Sequence, residues 1–182
     1  MMIYPENLSP NASEMFEIKG QSIMIPKCKV DLMKWAGTPL SYTFGGKPIV
    51  DYEGIPMFAE MAILNSFRDS GWDARWVETY GKPRLAPIYL LEWIDKDYKS
   101  QVHAPIDHKM VNMLLQLVAK ENGNNFGGCW DVVAWKDDNI IFAESKRSKK
   151  DAIQSTQNRW LVAAIEVGFT TDNFLMVEWL LV

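Results

Sequence analysis

Trp130-Asp131-Val132-Val133-Ala134-Trp135, then Lys136-Asp137-Asp138-Asn139, then Ile140-Ile141-Phe142-Ala143-Glu144-Ser145-Lys146 is the run that decides how this chain folds. Two β-rich apolar segments flank a polar turn cluster, which predicts a β-hairpin. With Asp137-Asp138 as the turn, Asp131 faces Glu144. With Asp138-Asn139 as the turn, Asp131 faces Lys146. Side chains alternate along a strand and directly opposed residues share a face, so both registers put Asp131, Glu144 and Lys146 on one side. Three charged groups are expected to converge at the open end of the hairpin.

An Asp facing Glu-x-Lys is a chemically specific grouping. Magnesium takes hard oxygen ligands, usually one or two protein carboxylates, and leaves its other positions to water and substrate phosphate. Asp131 and Glu144 supply such carboxylates, and Lys146 is placed to orient a water or to stabilise charge on a phosphate in the transition state. The competing reading is a solvated ion pair at a hairpin end. Glu-x-Lys alone is weak evidence: Glu17-Ile18-Lys19 repeats it without a preceding strand carrying Asp, and is expected to be structural.

The residues after Lys146 add to the pattern. Arg147-Ser148-Lys149-Lys150 is a basic loop leading into Asp151-Ala152-Ile153-Gln154-Ser155-Thr156-Gln157-Asn158-Arg159-Trp160. Glu-x-Lys followed by Asp-x-(Leu/Ile)-x-x-x-Gln-x-x-Trp resembles the VRR-NUC branch of the PD-(D/E)XK nuclease superfamily, matched by Glu144, Lys146, Asp151, Ile153, Gln157 and Trp160. Where that family carries Gly-x-Pro-Asp, this chain has Gly128-Cys129-Trp130-Asp131, keeping Gly and Asp and replacing Pro, which contributes no metal-binding atom, by Trp. The resemblance covers residues 127 to 182 and, more thinly, 56 to 80.

The resemblance implies an α/β fold, a mixed central β-sheet flanked by helices with a restriction endonuclease-like αβββαβ core. It implies a Mg2+-dependent (alternatively Mn2+-dependent) DNA phosphodiesterase, a structure-selective endonuclease for branched or flapped DNA. Asp131, Glu144, Lys146 and Gln157 would be its catalytic set, and Glu60, on a helix over residues 56 to 67, would join Asp131 and Glu144 at the metal. Gln157 could contact the attacking water or a phosphate, or serve only as a helix-cap hydrogen bond.

The remaining elements follow from local pattern. Residues 73 to 80 read as a strand, Ser155 to Val167 as a helix with Ser155 as N-cap and Gly168 as its C′ stop, and Phe174 to Leu181 as a final strand. Trp160, Leu161, Ala164, Ile165 and Val167 point to the core. One nuclease domain spans residues 1 to 182, with residues 1–55 as an irregular or short-stranded N-terminal extension and 81–126 as an insertion. The insertion carries a short strand near Ile88 and a helix from Ile106 to Glu121. There Met110, Met113, Leu114, Leu117 and Val118 recur at helical spacing and are assigned to the core. His103 and His108 are too isolated for metal ligands and take surface or capping roles. Gly45-Gly46-Lys47 lacks the spacing of a phosphate-binding loop.

Charge and composition bound the reading. The net charge of −4 argues against a broad nucleic-acid face, so DNA contact is assigned to a local patch of Lys146, Arg147, Lys149, Lys150 and Arg159. Cys28 and Cys129 are far apart and lack His partners, which predicts neither a disulfide framework nor a zinc site. No apolar stretch approaches membrane-spanning length, and the expected setting is soluble and cytoplasmic. Symmetrical cutting of both strands would call for a homodimer. Two other classes remain open: a nuclease-fold module that binds nucleic acid or protein without cutting, and an interaction subunit whose carboxylates are incidental.

Overall fold

The computed structural model describes residues 2–79 and 86–182. The strands are β1 (Ala12–Ile18), β2 (Gln21–Lys34), β3 (Val50–Tyr52), β4 (Ile55–Met57), β5 (Asp73–Glu78), β6 (Ile88–Leu90), β7 (Val132–Lys136), β8 (Asn139–Arg147) and β9 (Phe174–Leu181). The helices are α1 (Ala59–Asp69), α2 (Lys109–Glu121) and α3 (Ser155–Val167). All the strands belong to one mixed sheet in the order β4-β3-β2-β9-β8-β7-β5-β6, with β1 paired to β2.

The hairpin takes the first of the two expected registers. Val132 pairs with Ala143 and Lys136 with Asn139, so Asp137-Asp138 forms the turn and Asp131 lies across from Glu144. Asp137 adopts a φ of 52°, a left-handed conformation that Asp tolerates better than most side chains. Strand β7 is also antiparallel to β5, and β8 runs parallel to β9 through the α3 crossover.

Both faces of the sheet are covered, which explains the apolar runs in its central strands. Val132, Ala134, Ile141, Ala143, Leu175 and Val177 pack toward α1. Val133, Trp135, Ile140, Phe142, Phe174 and Met176 pack toward α2 and α3. Each large apolar side chain taken out of water contributes roughly 1.5–3 kcal/mol. The sequence order helix, strand, strand, strand, helix, strand is present as α1, β5, β7, β8, α3 and β9.

The N-terminal third is more regular than its Pro and Gly content suggests. Strand β2 is 14 residues long. Its first half pairs with β1, its second half runs parallel to β9, and Met33 and Lys34 pair with β3. Strands β1, β2 and β3 therefore extend the sheet beyond β9, where the sequence predicts an irregular or short-stranded extension: β3 and β4 are three residues each, and β2 is long. The glycines of this segment fall in the connections, and Pro26 is accommodated within β2. Leu8 and Val50 also cover α1, so eight of its 11 residues are buried.

Other boundaries shift slightly. Helix α1 starts at Ala59, after an extended Phe58. Strand β5 ends at Glu78, and Tyr80, assigned to that strand from sequence, lies outside the described residues. Helix α3 is capped by Gln154, one residue before the expected Ser155, and Gly168 closes it at φ 110°. Helix α2 starts at Lys109, with His108 Nδ1 accepting from Val111 N at 3.4 Å.

The apolar face of α2 is rotated from the expected one. Val111, Leu115, Val118 and Ala119 are buried, whereas Met113 and Leu117 are exposed. Nearly every position of that helix that is not charged or amide is apolar, so spacing alone left two faces eligible, and packing against α3 selects between them. Among the described residues, no helix is long and apolar enough to cross a membrane.

Candidate active site

The site lies where β7 begins and β8 approaches its end, on the α3 side of the sheet. Asp131 immediately precedes β7, and Val77 N donates to its carbonyl at 2.8 Å, tying it to β5 as well. Its backbone N–H donates to Glu144 Oε2 at 3.3 Å, and Ser145 N donates to Asp131 Oδ2 at 3.0 Å. The two carboxylates are thus cross-linked by reciprocal hydrogen bonds to each other's strand. Glu144 is almost fully buried, and Asp131 is half-buried.

Gly128 sets the approach to this strand. Its φ is +88°, and a Cβ there would fall 2.0 Å from the Thr156 carbonyl oxygen. Only glycine permits both the left-handed backbone and such close contact with the first turn of α3. Trp130, at the position where a proline was the expected residue, is fully buried and packs edge-on against Phe174, with centroids 4.9 Å apart. An aromatic anchor holds the strand entrance.

Lys146 and Gln157 complete a closed network with Glu144. The Lys146 ammonium lies 3.2 Å from Glu144 Oε1 and donates to Gln157 Oε1 at 3.1 Å and to the Ala152 carbonyl at 3.2 Å. An ammonium has three N–H donors, and these contacts engage all three. Gln157 Nε2 donates to Glu144 Oε1, and Gln157 Oε1 also accepts from Gln154 N at 2.7 Å. The two sequence readings of Gln157 therefore coexist: it caps α3, and the same amide holds Lys146 and Glu144.

Glu60 reaches this region from α1. It is buried and ion-paired with Lys47. Lys47 also lies 5.7 Å from the centre of the Trp76 ring. Burial works to lower the pKa of the Lys47 ammonium, but the Glu60, Asp131 and Glu78 carboxylates outweigh it, and the pKa is raised. No sequence pattern assigns a role to Lys47, because its Gly-Gly-Lys context matches no phosphate loop and its neighbours arrive from distant segments.

Electrostatics explain what the carboxylates lack. Burial pushes the Asp131 carboxyl well above its ordinary range, the Glu144 and Glu60 charges push it further, and Lys47 and the Ser145 N–H only partly offset them. Burial also raises Glu144, against the opposing pull of Lys146 and the Asp131 N–H. Two carboxylates side by side in a desolvated place favour a bound cation. Asp131 and Glu144 offer hard oxygen donors, so they fit a magnesium site that takes two protein carboxylates and leaves its remaining positions to water and phosphate. Among the described residues, no group of three or more His, Cys, Asp or Glu side chains forms a metal cluster by itself.

Of the expected basic patch, Lys146, Arg147 and Lys149 line one pocket, and Arg159 lies apart from it. The Arg147 guanidinium packs over Trp179, 5.7 Å from its ring centre, on the sheet face opposite Lys146. Lys149 and Lys150 are exposed in the loop after β8. Arg159 lies elsewhere, in a groove with Glu17, Lys19, Glu121 and Glu166. Helical spacing separates it from Gln157 by about 200°, so sequence proximity to the site did not become spatial proximity. The second Glu-x-Lys, Glu17 to Lys19, sits at the β1–β2 hairpin, where Lys19 pairs with Glu166 of α3.

No protein-family model, curated protein or solved structure matches this chain.

Proposed function

We propose that this chain is a metal-dependent nuclease that hydrolyses phosphodiester bonds in DNA. The observation that carries the reading is the placement of Asp131 against Glu144 with Lys146 and Gln157 locked onto Glu144. A structural ion pair needs one acid and one base. Here a buried acid and a half-buried one are kept together, at an electrostatic cost that a divalent cation would offset.

In this reading Asp131 and Glu144 hold Mg2+, or Mn2+ in its place, with Glu60 adjoining on the α1 side. When bound, the cation would acidify a water and neutralise charge on the phosphate. The protein's own part is positional. Lys146, fixed by three acceptors, can exchange the exposed Ala152 carbonyl for a phosphate oxygen or the attacking water while keeping its contacts to Glu144 and Gln157. Gln157 prevents the ammonium from collapsing wholly onto Glu144. The element order α1, β5, β7, β8, α3, β9 is compatible with a restriction endonuclease-like core, and a preference for branched or flapped DNA belongs to the same proposal.

The test is cleavage of labelled single-stranded, duplex, flapped and four-way DNA with Mg2+ or Mn2+, beside Glu144→Ala. Cation-dependent cutting that disappears in the variant is the expected result. Folded protein that cuts none of these substrates under any cation overturns the reading. The alternative is a nuclease-fold module that binds nucleic acid or protein without cutting. Binding of the same DNA set without turnover distinguishes it.

A further inference from the structure

A pocket of about 350 Å³ opens beside Lys146 on the α3 face of the sheet, reached from β1, β2, the end of β8 and β9. Its apolar floor is formed by Ile153 and Met176. Its wall carries Glu14, Lys27 and Glu178. The Lys27 ammonium, largely buried, lies 2.6 Å from Glu14 and 3.1 Å from Glu178. Ser148 Oγ donates to Glu178 Oε1 at 2.8 Å.

The Glu14–Lys27–Glu178 wall does not suit a phosphate. At this wall the Lys27 ammonium is already shared between two carboxylates, both of which would repel an anion, while the other cations lining the pocket, Lys146, Arg147 and Lys149, come from β8 and the loop after it. The carboxylates do have acceptor capacity left, since each can take about four hydrogen bonds. Ser148 and then Lys27 hold the Glu178 carboxyl below its ordinary range, so it stays an acceptor at neutral pH. An apolar floor under carboxylate acceptors suits a flat ring that carries N–H donors on its edge, and carboxylates pair with the exocyclic amine of cytosine in this way. A volume of about 350 Å³ is on the scale of one nucleotide, and Lys146 and Lys149, which line the pocket together with Arg147, can face the attached phosphate.

We propose that this pocket receives one unpaired nucleobase of the strand being cut, next to the phosphate at Lys146, and prefers bases bearing an amino group over thymine. The inference rests on the nuclease reading of the adjoining site, and it adds a base-specific subsite and a reason for cutting near unpaired nucleotides. Glu14 and Glu178 are its specificity-determining residues, while the half-buried Ile153, backed by the core residue Met176, provides the apolar contact.

Two measurements test it separately from catalysis. In metal-free protein, the methyl resonances of Ile153 and Met176 are followed by NMR during titration with dCMP, dTMP and deoxyribose 5-phosphate. Shifts that saturate with dCMP at a concentration about tenfold or more lower than with dTMP or the sugar phosphate are expected. That preference should shrink in Glu178→Gln and in Glu14→Gln, the second variant guarding against a folding defect in the first. Equal titration by all three compounds, or no response at either methyl, overturns the subsite whether or not the protein cuts DNA. In the cleavage arm, single-stranded oligothymidylate with one cytosine should be cut beside that cytosine, and uniform cutting also overturns the subsite. Failure of all cleavage with the NMR preference intact would count against the nuclease reading alone.

Discussion

Gln157 Nε2 donates to Oε1 of Glu144, joining the first turn of α3 to the end of β8. That single amide also accepts from Gln154 N and from the Lys146 ammonium. Gln157→Ala should therefore affect two properties at once. Loss of the cap and of hydrogen bonds to charged partners should cost about 1–3 kcal/mol in equilibrium urea unfolding. Cleavage should fall further than stability explains, because Lys146 loses one of the acceptors that holds it off Glu144. A variant with reduced stability and unchanged turnover would show that Gln157 is only a cap.

Lys146→Ala separates positioning from metal binding. Asp131 and Glu144 remain, so Mn2+ affinity measured by calorimetry should change little. Turnover should fall about 100- to 1,000-fold, the usual effect of losing one preorganised group that stabilises transition-state charge. Equal turnover in the variant and the parent would remove Lys146 from the mechanism.

The raised carboxyls make a prediction about pH. Burial, then neighbouring negative charge, raises Asp131, and burial raises Glu144 against Lys146. The folded state therefore holds protons that the unfolded chain has released, and metal-free stability should fall as pH rises from the ordinary carboxylate range through the raised values. Below that window the penalty is absent, because the groups are protonated in both states. Asp131→Asn keeps an acceptor for Ser145 N and removes one charge, so at pH 8 without metal it should be more stable than the parent by on the order of 1 kcal/mol. Mg2+ should raise the parent's melting temperature more at pH 8 than at pH 5 and leave the variant unmoved. A parent protein that gains stability from pH 5 to pH 8 without metal contradicts this account of the pair.

The hairpin and its charged residues were legible because a strand pair has few registers and all of them place Asp131, Glu144 and Lys146 on one face. Gln157 was legible as a position, and its double role was not, since a side chain's three partners cannot be counted from spacing. Lys47 was invisible for a different reason. Its partner Glu60 is on α1 and its neighbour Trp76 on β5, and nothing local to Gly45-Gly46-Lys47 signals either contact. The same limit hid β2, whose parallel partner β9 comes from the far end of the sequence.

The rotated face of α2 has a simple mutational test. Leu115 is buried against α3 and Met113 is exposed. Leu115→Ala should cost about 2–5 kcal/mol, and Met113→Lys should stay within about 0.5 kcal/mol of the parent. Comparable losses in both, measured by urea unfolding, would restore the face that spacing first suggested.

Lys47 and Glu60 form a pair whose purpose can be separated from metal binding. Glu60 is buried, so Lys47→Met leaves a carboxylate without its counter-ion and should destabilise the protein by about 3 kcal/mol. Converting Glu60 to Gln in the same chain removes the uncompensated charge, and the double variant should recover most of that loss. The cycle also isolates what Glu60 does at the site. If its role is to balance Lys47, the double variant binds Mn2+ as tightly as the parent. If Glu60 is a third oxygen ligand, affinity falls in Glu60→Gln and in the double variant alike, and Lys47→Met, which frees the carboxylate, binds the cation more tightly than the parent.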